Sequence, residues 1–422
     1  MVQPENPSII VQFPDADGSM DGASSEEVPT ELAYTSDGAD YKWGFQATGV
    51  DNRFVCFKLG LNPLREREAS YLSIMYPDHT GLPPNDDHPA PDLSRDYIKK
   101  VRQHVIKILE SKLGDVVVNT TPIEWILTVP AIWEDGAKAN TKSCAVAAGI
   151  CEKIHMISEP EAAMTYVLDA MDPDTLQVGD TFVCADCGGG TVDLISYTIE
   201  ELGAKIKIIE AAEGTGDLCG SSFVNRVFRK WFTDRFSGHE GYGEDTLEAA
   251  MERFETITKR KFSGGPENFI LPVPGLVDDP IKRVRRQRLT MTSADLTAIF
   301  EVVVPVVTSL VTTQIKKTAK PIKAVLMAGG FGQSPYLREM IKKVVGPKVT
   351  VIQPANASTA VVRGALITAL AITTPGSSRI EVLSRVARKC YGIKYKAPFN
   401  HRKDLRSRRF VQLFPEQHKV TK

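Results

Sequence analysis

Almost no net charge and no long apolar run are found in this sequence of 422 residues. Lysine and arginine (51) nearly balance aspartate and glutamate (52), so the formal net charge at pH 7 is −1. This balance argues against a bulk electrostatic attraction to nucleic acid or to a membrane surface, and we expect neither as a partner. No apolar stretch approaches the ~20 residues that a helix needs to span a bilayer. The N-terminal residues lack the basic and apolar regions of a secretory signal peptide.

Cysteine and histidine are both scarce, with seven residues each. An odd number of scattered cysteines is typical of a reducing compartment, so we expect a cytoplasmic protein. Cys184 and Cys187 have C-x-x-C spacing, but no second pair or histidine cluster lies nearby in the sequence to complete a zinc site. The few histidines form no Ser/His/Asp or Cys/His arrangement. The sequence therefore predicts neither a disulfide framework nor a zinc centre.

Strands and helices alternate in the second half of the chain, which predicts an α/β layered fold. Serine caps predict helices that begin at Ser221 or Ser222 and at Ser334, where Pro335 follows. Ligands are expected at the carboxyl ends of the strands. Four strands are predicted from apolar or alternating runs: 182–185, the run from Val192, 206–209 and 323–327.

The first half of the chain predicts fewer elements. Residues 14–28 are acidic and small, which indicates a surface loop. Ser94 is expected to cap a helix, and residues 123–129 predict a buried strand that Pro130 ends. Glu159 lies between a strand-like stretch and a helix that opens at Pro160, where its carboxylate could position a water or a metal, or act as a helix cap.

The most informative motif is Asp-Cys-Gly-Gly-Gly-Thr at residues 186–191, directly after a buried-looking strand. Glycines allow backbone N–H groups to wrap a phosphate. Asp186 and Asp193 could hold a hydrated Mg²⁺ beside it, since Mg²⁺ prefers few carboxylates and several waters. The alternative is a glycine-rich hairpin with acidic flanks.

Two further glycine loops, 214–222 and 329–334, also follow strands. Together with residues 186–191 they suggest one nucleotide touched from several sides, with helix N-termini at Ser221 or Ser222 and at Ser334 offering N–H groups. Tight turns of an α/β domain are the alternative.

Basic residues are concentrated in three segments. Lys259-Arg260-Lys261 lies on an amphipathic helix and indicates either a solvated face or a phosphate-facing surface. The run 282–288 lacks interleaved aromatic residues, which argues against a nucleic-acid surface. The tail after Pro375 is expected to be a solvated or poorly packed terminus.

Seven motifs in order resemble the ATPase domain of the heat-shock protein 70 family. The resemblance runs from about Ser8 to Leu370 and is strongest to that family's divergent branch, in which Gly-Gly-Phe replaces Gly-Gly-Ser. The motifs are TVPAIW (128–133), ISEPEAA (157–163), DCGGGTVD (186–193), GDLCGSSFVNR (216–226), KRKFS (259–263), LMAGGFGQSPYL (326–337) and ASTAVVRGAL (357–366).

The resemblance implies an actin-like ATPase fold, a duplicated ribonuclease H-like design in which two α/β lobes flank a nucleotide cleft. Lobe I would comprise residues 1–176, completed by about 355–375. Lobe II would comprise 177–354, and a basic tail 376–422. The implied cofactors are ATP or ADP with Mg²⁺, and client polypeptides or co-chaperones are possible partners.

The resemblance also implies roles for individual residues. Glu159, Asp186 and Thr191 would be catalytic, with Asp186 and, through water, Glu159 on the metal. The expected nucleotide contacts come from four loops or helices: Gly188, Gly189, Gly190 and Thr191; Gly220; Lys259, Arg260 and Ser263; and Gly329, Gly330 and Gln333.

The sequence departs from the family at its beginning. The family's first phosphate loop, Asp-x-Gly-Thr-Thr, is absent, and residues 8–13 and 28–35 are expected to be the later strands. The catalytic lysine should follow the turn at Gly44–Ala47, where Thr48 stands; Lys58, the nearest lysine, is expected to lie elsewhere. We expect neither a β-sandwich substrate domain of normal size nor a helical lid among the residues after the ATPase region.

Three hypotheses follow. The first is a heat-shock-70-like ATP-binding protein with weak or lost hydrolysis, because half of the phosphate cradle is missing. The second is a catalytically dead pseudo-ATPase that serves as a protein-interaction scaffold. A small-molecule kinase of the same superfamily is the third, but no aspartate base is found for it. An incomplete gene model or a splice form would also explain the absent loop.

Overall fold

The computed structural model describes residues 8–14, 24–35, 40–48, 50, 53–62, 88–151, 153–374, 378–388, 396–398, 409–411 and 418–421. The chain divides into two compact units, residues 1–385 and 386–422. The strands are β1 (Glu31–Tyr34), β2 (Tyr41–Trp43), β3 (Phe54–Val55), β4 (Trp125–Val129), β5 (Ile154–Ser158), β6 (Thr181–Cys187), β7 (Val192–Leu202), β8 (Ile206–Asp217), β9 (Phe269–Pro272), β10 (Val284–Arg285), β11 (Arg288–Met291), β12 (Ala324–Ala328), β13 (Thr350–Ile352), β14 (Ile380–Ser384), β15 (Lys396–Pro398), β16 (Arg409–Val411) and β17 (His418–Thr421). The helices are α1 (Ala90–Leu113), α2 (Asp115–Thr120), α3 (Asp135–Ala147), α4 (Glu159–Ala170), α5 (Ser221–Phe236), α6 (Glu244–Arg253), α7 (Lys259–Lys261), α8 (Ser293–Phe300), α9 (Val304–Thr318), α10 (Pro335–Val345) and α11 (Ala360–Thr373).

A six-stranded sheet of order β13-β12-β6-β7-β8-β14 organises the first unit. Strands β6, β7 and β8 are antiparallel neighbours, whereas β12 runs parallel to β6 and β14 parallel to β8. Because Ala328 of β12 pairs with Asp186 of β6, the glycine loops that follow these two strands lie side by side. The predicted hairpin and the predicted α/β layering are therefore confirmed.

Both faces of this sheet are buried, which explains why β6 is apolar along nearly its whole length. Val183, Ala185 and Cys187 pack in the core formed with α5, α8 and α9, and Phe182 and Cys184 pack in a second core with α4. Cys184 and Cys187 thus point to opposite faces of the sheet, as residues three apart in a strand must. Their C-x-x-C spacing therefore does not make them a pair.

Two small sheets form in the first half of the chain, one of β2-β1-β3 and one of parallel β4-β5. Helix α4 continues directly from β5 and packs against α11, where an added Cβ on Gly364 would overlap the carbonyl of Ala162. Helix α1 begins at Ala90 with Pro89 as its N-cap, so the prediction that Ser94 caps it is wrong. Residues 8–13 form no strand, and only Glu31–Tyr34 of the predicted strand 28–35 is one.

Within the described ranges no single helix is long and apolar enough to cross a membrane. The bent pair α8 and α9, at an angle of 52°, meets that test by length and composition only.

The second unit contains a three-stranded antiparallel sheet of order β15-β17-β16. Part of the predicted solvated tail is therefore regular structure. The tail was also expected to begin at residue 376, but Ile380–Ser384 belongs to the six-stranded sheet as β14. The division of the first unit into lobes at residues 176 and 354 stays a prediction.

Candidate functional site

The turn between β6 and β7 brings two aspartates together at the carboxyl end of the central strand. Asp186 and Asp193 are direct neighbours in the ladder, and their exposed fractions are 7% and 1%. The loop between them closes through a hydrogen bond of 3.0 Å from the Gly188 N–H to the Thr191 carbonyl. Gly189, at the outer end of this loop, has open space where a Cβ would stand. The loop thus presents bare backbone next to two buried carboxylates.

Lys58 completes the cluster, contrary to the expectation that it lies elsewhere. Its Nζ is 2.5 Å from Oε1 of Glu159, the first residue of α4. Burial disfavours the charged form of Lys58, but Glu159, Asp193 and Asp186 outweigh it and raise the pKa of the ammonium above its ordinary value. The side chain of Lys58 is 46% exposed, so its burial is only partial and its ammonium is accessible from solvent. Lys58 stays charged among three carboxylates.

The two aspartates have too little positive charge nearby to stabilise their ionised forms. Burial, followed by the charge of Glu159, raises the pKa of Asp193 to about 7. The same causes, with Asp193 added, raise the pKa of Asp186 well above its usual range, although Lys58 opposes them. Thr191 and the backbone of Ile132 lie close enough to Asp193 to favour its ionised form. Neither oxygen of the Asp193 carboxylate forms a hydrogen bond, however. Buried, unsatisfied carboxylate oxygens are a physical reason to expect a bound cation.

The donor set fits a hydrated Mg²⁺. All candidate ligands are carboxylate oxygens, which this hard cation prefers, and it keeps several waters when few carboxylates are offered. Among the residues described, no three histidine, cysteine, aspartate or glutamate side chains converge closely enough to ligate one ion directly. Asp186 and Glu159, with Asp193 beside them, would therefore hold the ion largely through water.

The helix N-terminus at α5 does not offer its N–H groups to a ligand, so this part of the sequence prediction is wrong. The N–H groups of Ser221 and Ser222 donate to the carbonyls of Gly188 and Gly189 at 3.1 and 2.9 Å. The Ser222 hydroxyl also donates to the Gly189 carbonyl at 2.7 Å. A Cβ on Gly220 would stand 2.7 Å from the Gly190 nitrogen, inside contact distance. Gly220 and α5 therefore hold the glycine loop in place from behind.

The third glycine loop packs against the first. Gly329 has a φ of +78°, and a Cβ there would lie 2.7 Å from Oδ1 of Asp186. The N–H groups predicted at Ser334 are also used within the protein. The N–H of Ser334 donates to the carbonyl of Phe331 at 3.0 Å, and the N–H of Leu337 donates to the Ser334 hydroxyl, which caps α10. Gln333 is exposed at the end of this loop.

The basic segment is divided between the core and the surface. Lys259 is buried and its Nζ donates to Asn225 at 2.8 Å, whereas Arg260 and Ser263 are exposed. Burial is the main cause that lowers the pKa of Lys259. The reading of this segment as a purely solvated face is wrong for Lys259.

Glu27 is the site residue that sequence reasoning missed. Residues 14–28 are predicted to be a surface loop; residues 15–23 lie outside the described part of the chain, and Glu27 is exposed as expected. Its Oε1 lies 3.4 Å from the position of an added Cβ on Gly330. Burial raises the pKa of Glu27, while the nearby charges of Arg260 and Lys259 lower it and that of Glu26 raises it. Glu26 accepts a hydrogen bond of 3.3 Å from Ser358. A carboxylate of this segment therefore lies next to Gly330, one of the residues predicted to contact the nucleotide.

Comparison with known proteins now decides the family. The family described as Hsp70 protein matches residues 86–409. The chain belongs to the Hsp70 family. It is 22% identical to heat shock 70 kDa protein 12B of Homo sapiens, over 83% of this chain and 63% of that protein. It is 23% identical to heat shock 70 kDa protein 12A of Mus musculus, over 83% of this chain and 64% of that protein.

A plant relative matches a shorter region. The chain is 29% identical to the stromal 70 kDa heat shock-related protein, chloroplastic, of Pisum sativum, over 62% of this chain and 35% of that protein. The chain thus spans less than two thirds of the length of these relatives. Membership of the Hsp70 family implies the actin-like ATPase fold, and the recognition of a divergent heat-shock-70-like ATPase domain is confirmed.

The Hsp70-type residues fall into two groups around the carboxyl ends of β6 and β12. Glu159, Asp186 and the loop 188–191 form one group with Lys58 and Asp193. Gly330, Lys259 and Arg260 form the other, together with Glu27, which is close to Gly330 and feels the charges of the two basic residues. No pattern in the sequence links Lys58 to Glu159, because 101 positions separate them.

Proposed function

We propose that this chain is an Hsp70-type ATPase domain that binds Mg·ATP and Mg·ADP, and that it hydrolyses ATP weakly. The observation that carries the proposal is the ion pair of Lys58 and Glu159 beside the unsatisfied carboxylate of Asp193. An open glycine loop lies directly next to this cluster. Proteins bind nucleotide phosphates with a metal cation, a lysine ammonium and backbone N–H groups that no side chain covers.

Each charged group has a task in ATP hydrolysis, in which a water oxygen bonds to the γ-phosphorus and the bond to the bridging oxygen breaks. The Lys58 ammonium would neutralise charge on the phosphate oxygens, and Glu159 orients it. Asp193, with a pKa of about 7, is suited to accept the proton of the attacking water. Bound Mg²⁺ would supply further charge neutralisation from its position near Asp186 and Glu159.

Two features support weak rather than efficient hydrolysis. The N–H groups of Ser221 and Ser222 are already used by the glycine loop. Glu27 places a carboxylate over Gly330, where an anionic ligand would be repelled. Each phosphate-binding donor that a hydrolase lacks costs about 2.7–4 kcal/mol of transition-state stabilisation.

The experiment is thermal unfolding with and without millimolar Mg·ADP. A ligand at 100 times its Kd stabilises the native state by about 2.7 kcal/mol, so Tm should rise by several degrees and EDTA should remove most of the rise. Asp186→Asn should reduce the shift, because it removes a carboxylate from the metal side. Asp234→Asn, an exposed aspartate of α5 paired with Lys230, is the matched control and should keep the shift.

A pseudo-ATPase that serves as an interaction scaffold is the second candidate, and the position of Glu27 favours it. No rise in Tm with Mg·ADP in the wild type would support this candidate over the first.

Client polypeptides and co-chaperones are the partners we propose for either function. A cytoplasmic location is proposed from the cysteines, because the six in the described part of the chain are all free thiols.

A further inference from the structure

The hairpin of β10 and β11 carries unusual residues at its turn. Arg286 and Gln287 have φ values of +51° and +55°, the backbone of a two-residue turn for which Asn-Gly is the favoured sequence. The N–H of Arg286 donates to Oδ1 of Asp278 at 2.5 Å, which fixes the turn against the preceding loop. Strained backbone held by its surroundings is found mainly where a protein binds something.

Three arginines of this hairpin are free to bind a partner. Arg285, Arg286 and Arg288 are exposed, and their guanidinium groups make no hydrogen bond or ion pair with the residues that the structure describes. Arg283 and Lys282, by contrast, are engaged: Arg283 pairs with Asp295 at 2.5 Å and Lys282 donates to the carbonyl of Arg235 at 2.8 Å. The hairpin therefore presents three unpaired positive charges on a short, fixed element.

An apolar surface and a groove adjoin these charges. Ile281 is 91% exposed and Val277 47% exposed, which is unusual for side chains whose burial is favourable. A groove of about 550 Å³ lies beside them, lined among others by His239, Glu240 and Asp279. This groove shares no residue with the site around Asp186.

We propose that residues 277–288 form a docking surface, the arginine hairpin surface, for an acidic polypeptide segment that also carries an apolar side chain. The partner's carboxylates would pair with Arg285, Arg286 and Arg288, since guanidinium groups bind carboxylates through paired hydrogen bonds. Its apolar side chain would cover Ile281 and Val277. The inference is independent of nucleotide binding at the Asp186 site.

A polypeptide fits this surface better than a lipid bilayer or a nucleic acid. Glu240, Asp278 and Asp279 line the groove next to the arginines, and their carboxylates would repel a surface of uniform negative charge. A peptide can instead alternate its charges and its apolar residues to match this mixed surface. The hairpin also lacks aromatic side chains on which bases could stack.

The test measures binding of a fluorescein-labelled peptide of alternating glutamate and leucine by fluorescence anisotropy, on the full chain at low salt. The triple variant Arg285→Gln, Arg286→Gln, Arg288→Gln should bind at least tenfold more weakly, and Ile281→Ser severalfold more weakly. The control variant Arg253→Gln, Lys316→Gln, Lys348→Gln removes the same charge from exposed positions elsewhere and should bind like the wild type. Unchanged Tm values would show that all variants are folded.

Equal binding by the triple variant and its control would overturn the proposal, as would failure of the wild type to bind the peptide. Vesicles containing phosphatidylserine are tested in parallel. Binding to vesicles but not to peptide would assign the surface to a membrane and overturn the proposal. Self-association that the triple variant abolishes, measured by sedimentation, would assign it to a second copy of the chain and also overturn it.

Discussion

Lys58 and Glu159 are 101 positions apart in the sequence and form an ion pair of 2.5 Å. Lys58 lies on a single helical turn, Phe57–Leu61, and Glu159 opens helix α4. Leu59 of the same turn lies 3.7 Å from the position of an added Cβ on Gly190. The pair therefore ties the first half of the chain to the glycine loop and places its positive charge beside two buried aspartates.

Replacement of Lys58 should affect hydrolysis more than binding. Lys58→Ala removes the positive charge nearest to the carboxylates, and loss of one such group costs a hydrolase about 100-fold to 1,000-fold in kcat. We expect ATP turnover to fall by at least that factor, with a smaller change in the Kd for Mg·ADP. Lys230→Ala, an exposed lysine paired within α5, is the control and should leave both quantities unchanged. Equal turnover by Lys58→Ala and wild type would contradict the role of Lys58.

The pKa of Asp193 predicts how stability depends on pH. Its folded pKa of about 7 lies above the ordinary value of 3.8, so the folded state holds this proton more tightly than the unfolded state. The stabilisation from this group is complete below about pH 4 and is lost as the pH rises through 7. Asp193→Asn should remove that loss and be more stable than the wild type at pH 8, by roughly 2–4 kcal/mol.

Chemical denaturation at pH 5 and pH 8 checks this prediction. Mg²⁺ should also stabilise the wild type at pH 8, because a cation next to the ionised carboxylate replaces the missing positive charge, and the variant should gain less. The exposed residue Asp234 provides the control Asp234→Asn. A wild type and an Asp193→Asn variant with the same difference between pH 5 and pH 8 would show that Asp193 titrates normally.

Glu27→Gln should increase nucleotide affinity. The carboxylate lies over Gly330 and near the charges of Arg260 and Lys259, so it repels an anionic ligand and offsets the positive charge that would attract one. We expect a threefold to tenfold lower Kd for Mg·ADP, measured by calorimetry, with a smaller gain at high salt, which screens the repulsion. Glu244→Gln, on the exposed start of α6, is the control. An unchanged Kd would mean that the segment around Glu27 does not compete with the ligand.

Local sequence patterns predicted the hairpin that carries the two aspartates of the site. They did not predict the residues that distant segments of the chain bring to it. The hairpin that pairs Asp186 with Asp193 follows from alternation and three glycines, and Ser334-Pro335 begins α10 as expected. Lys58 and Glu27 could not be found in this way, because their places depend on packing between remote segments. The prediction that Ser94 caps the helix was wrong for a local reason: Pro89 is extended, and Pro91 fits the first turn of a helix that begins at Ala90.

Gly220→Ala should disturb the glycine loop from behind without touching a ligand. A Cβ at this position would overlap the backbone of Gly189 and Gly190, and backbone cannot move aside as the end of a flexible side chain can. Overpacking of this kind costs about 1–3 kcal/mol, so Tm should fall and the Kd for Mg·ADP should rise by tenfold or more. Gly136→Ala is the matched control, because Gly136 lies in α3 with nothing within 4 Å of an added Cβ; helix propensity predicts a small stabilisation there. If Gly220→Ala lost stability but bound Mg·ADP as tightly as Gly136→Ala, the loop 188–191 would not be the phosphate-binding element.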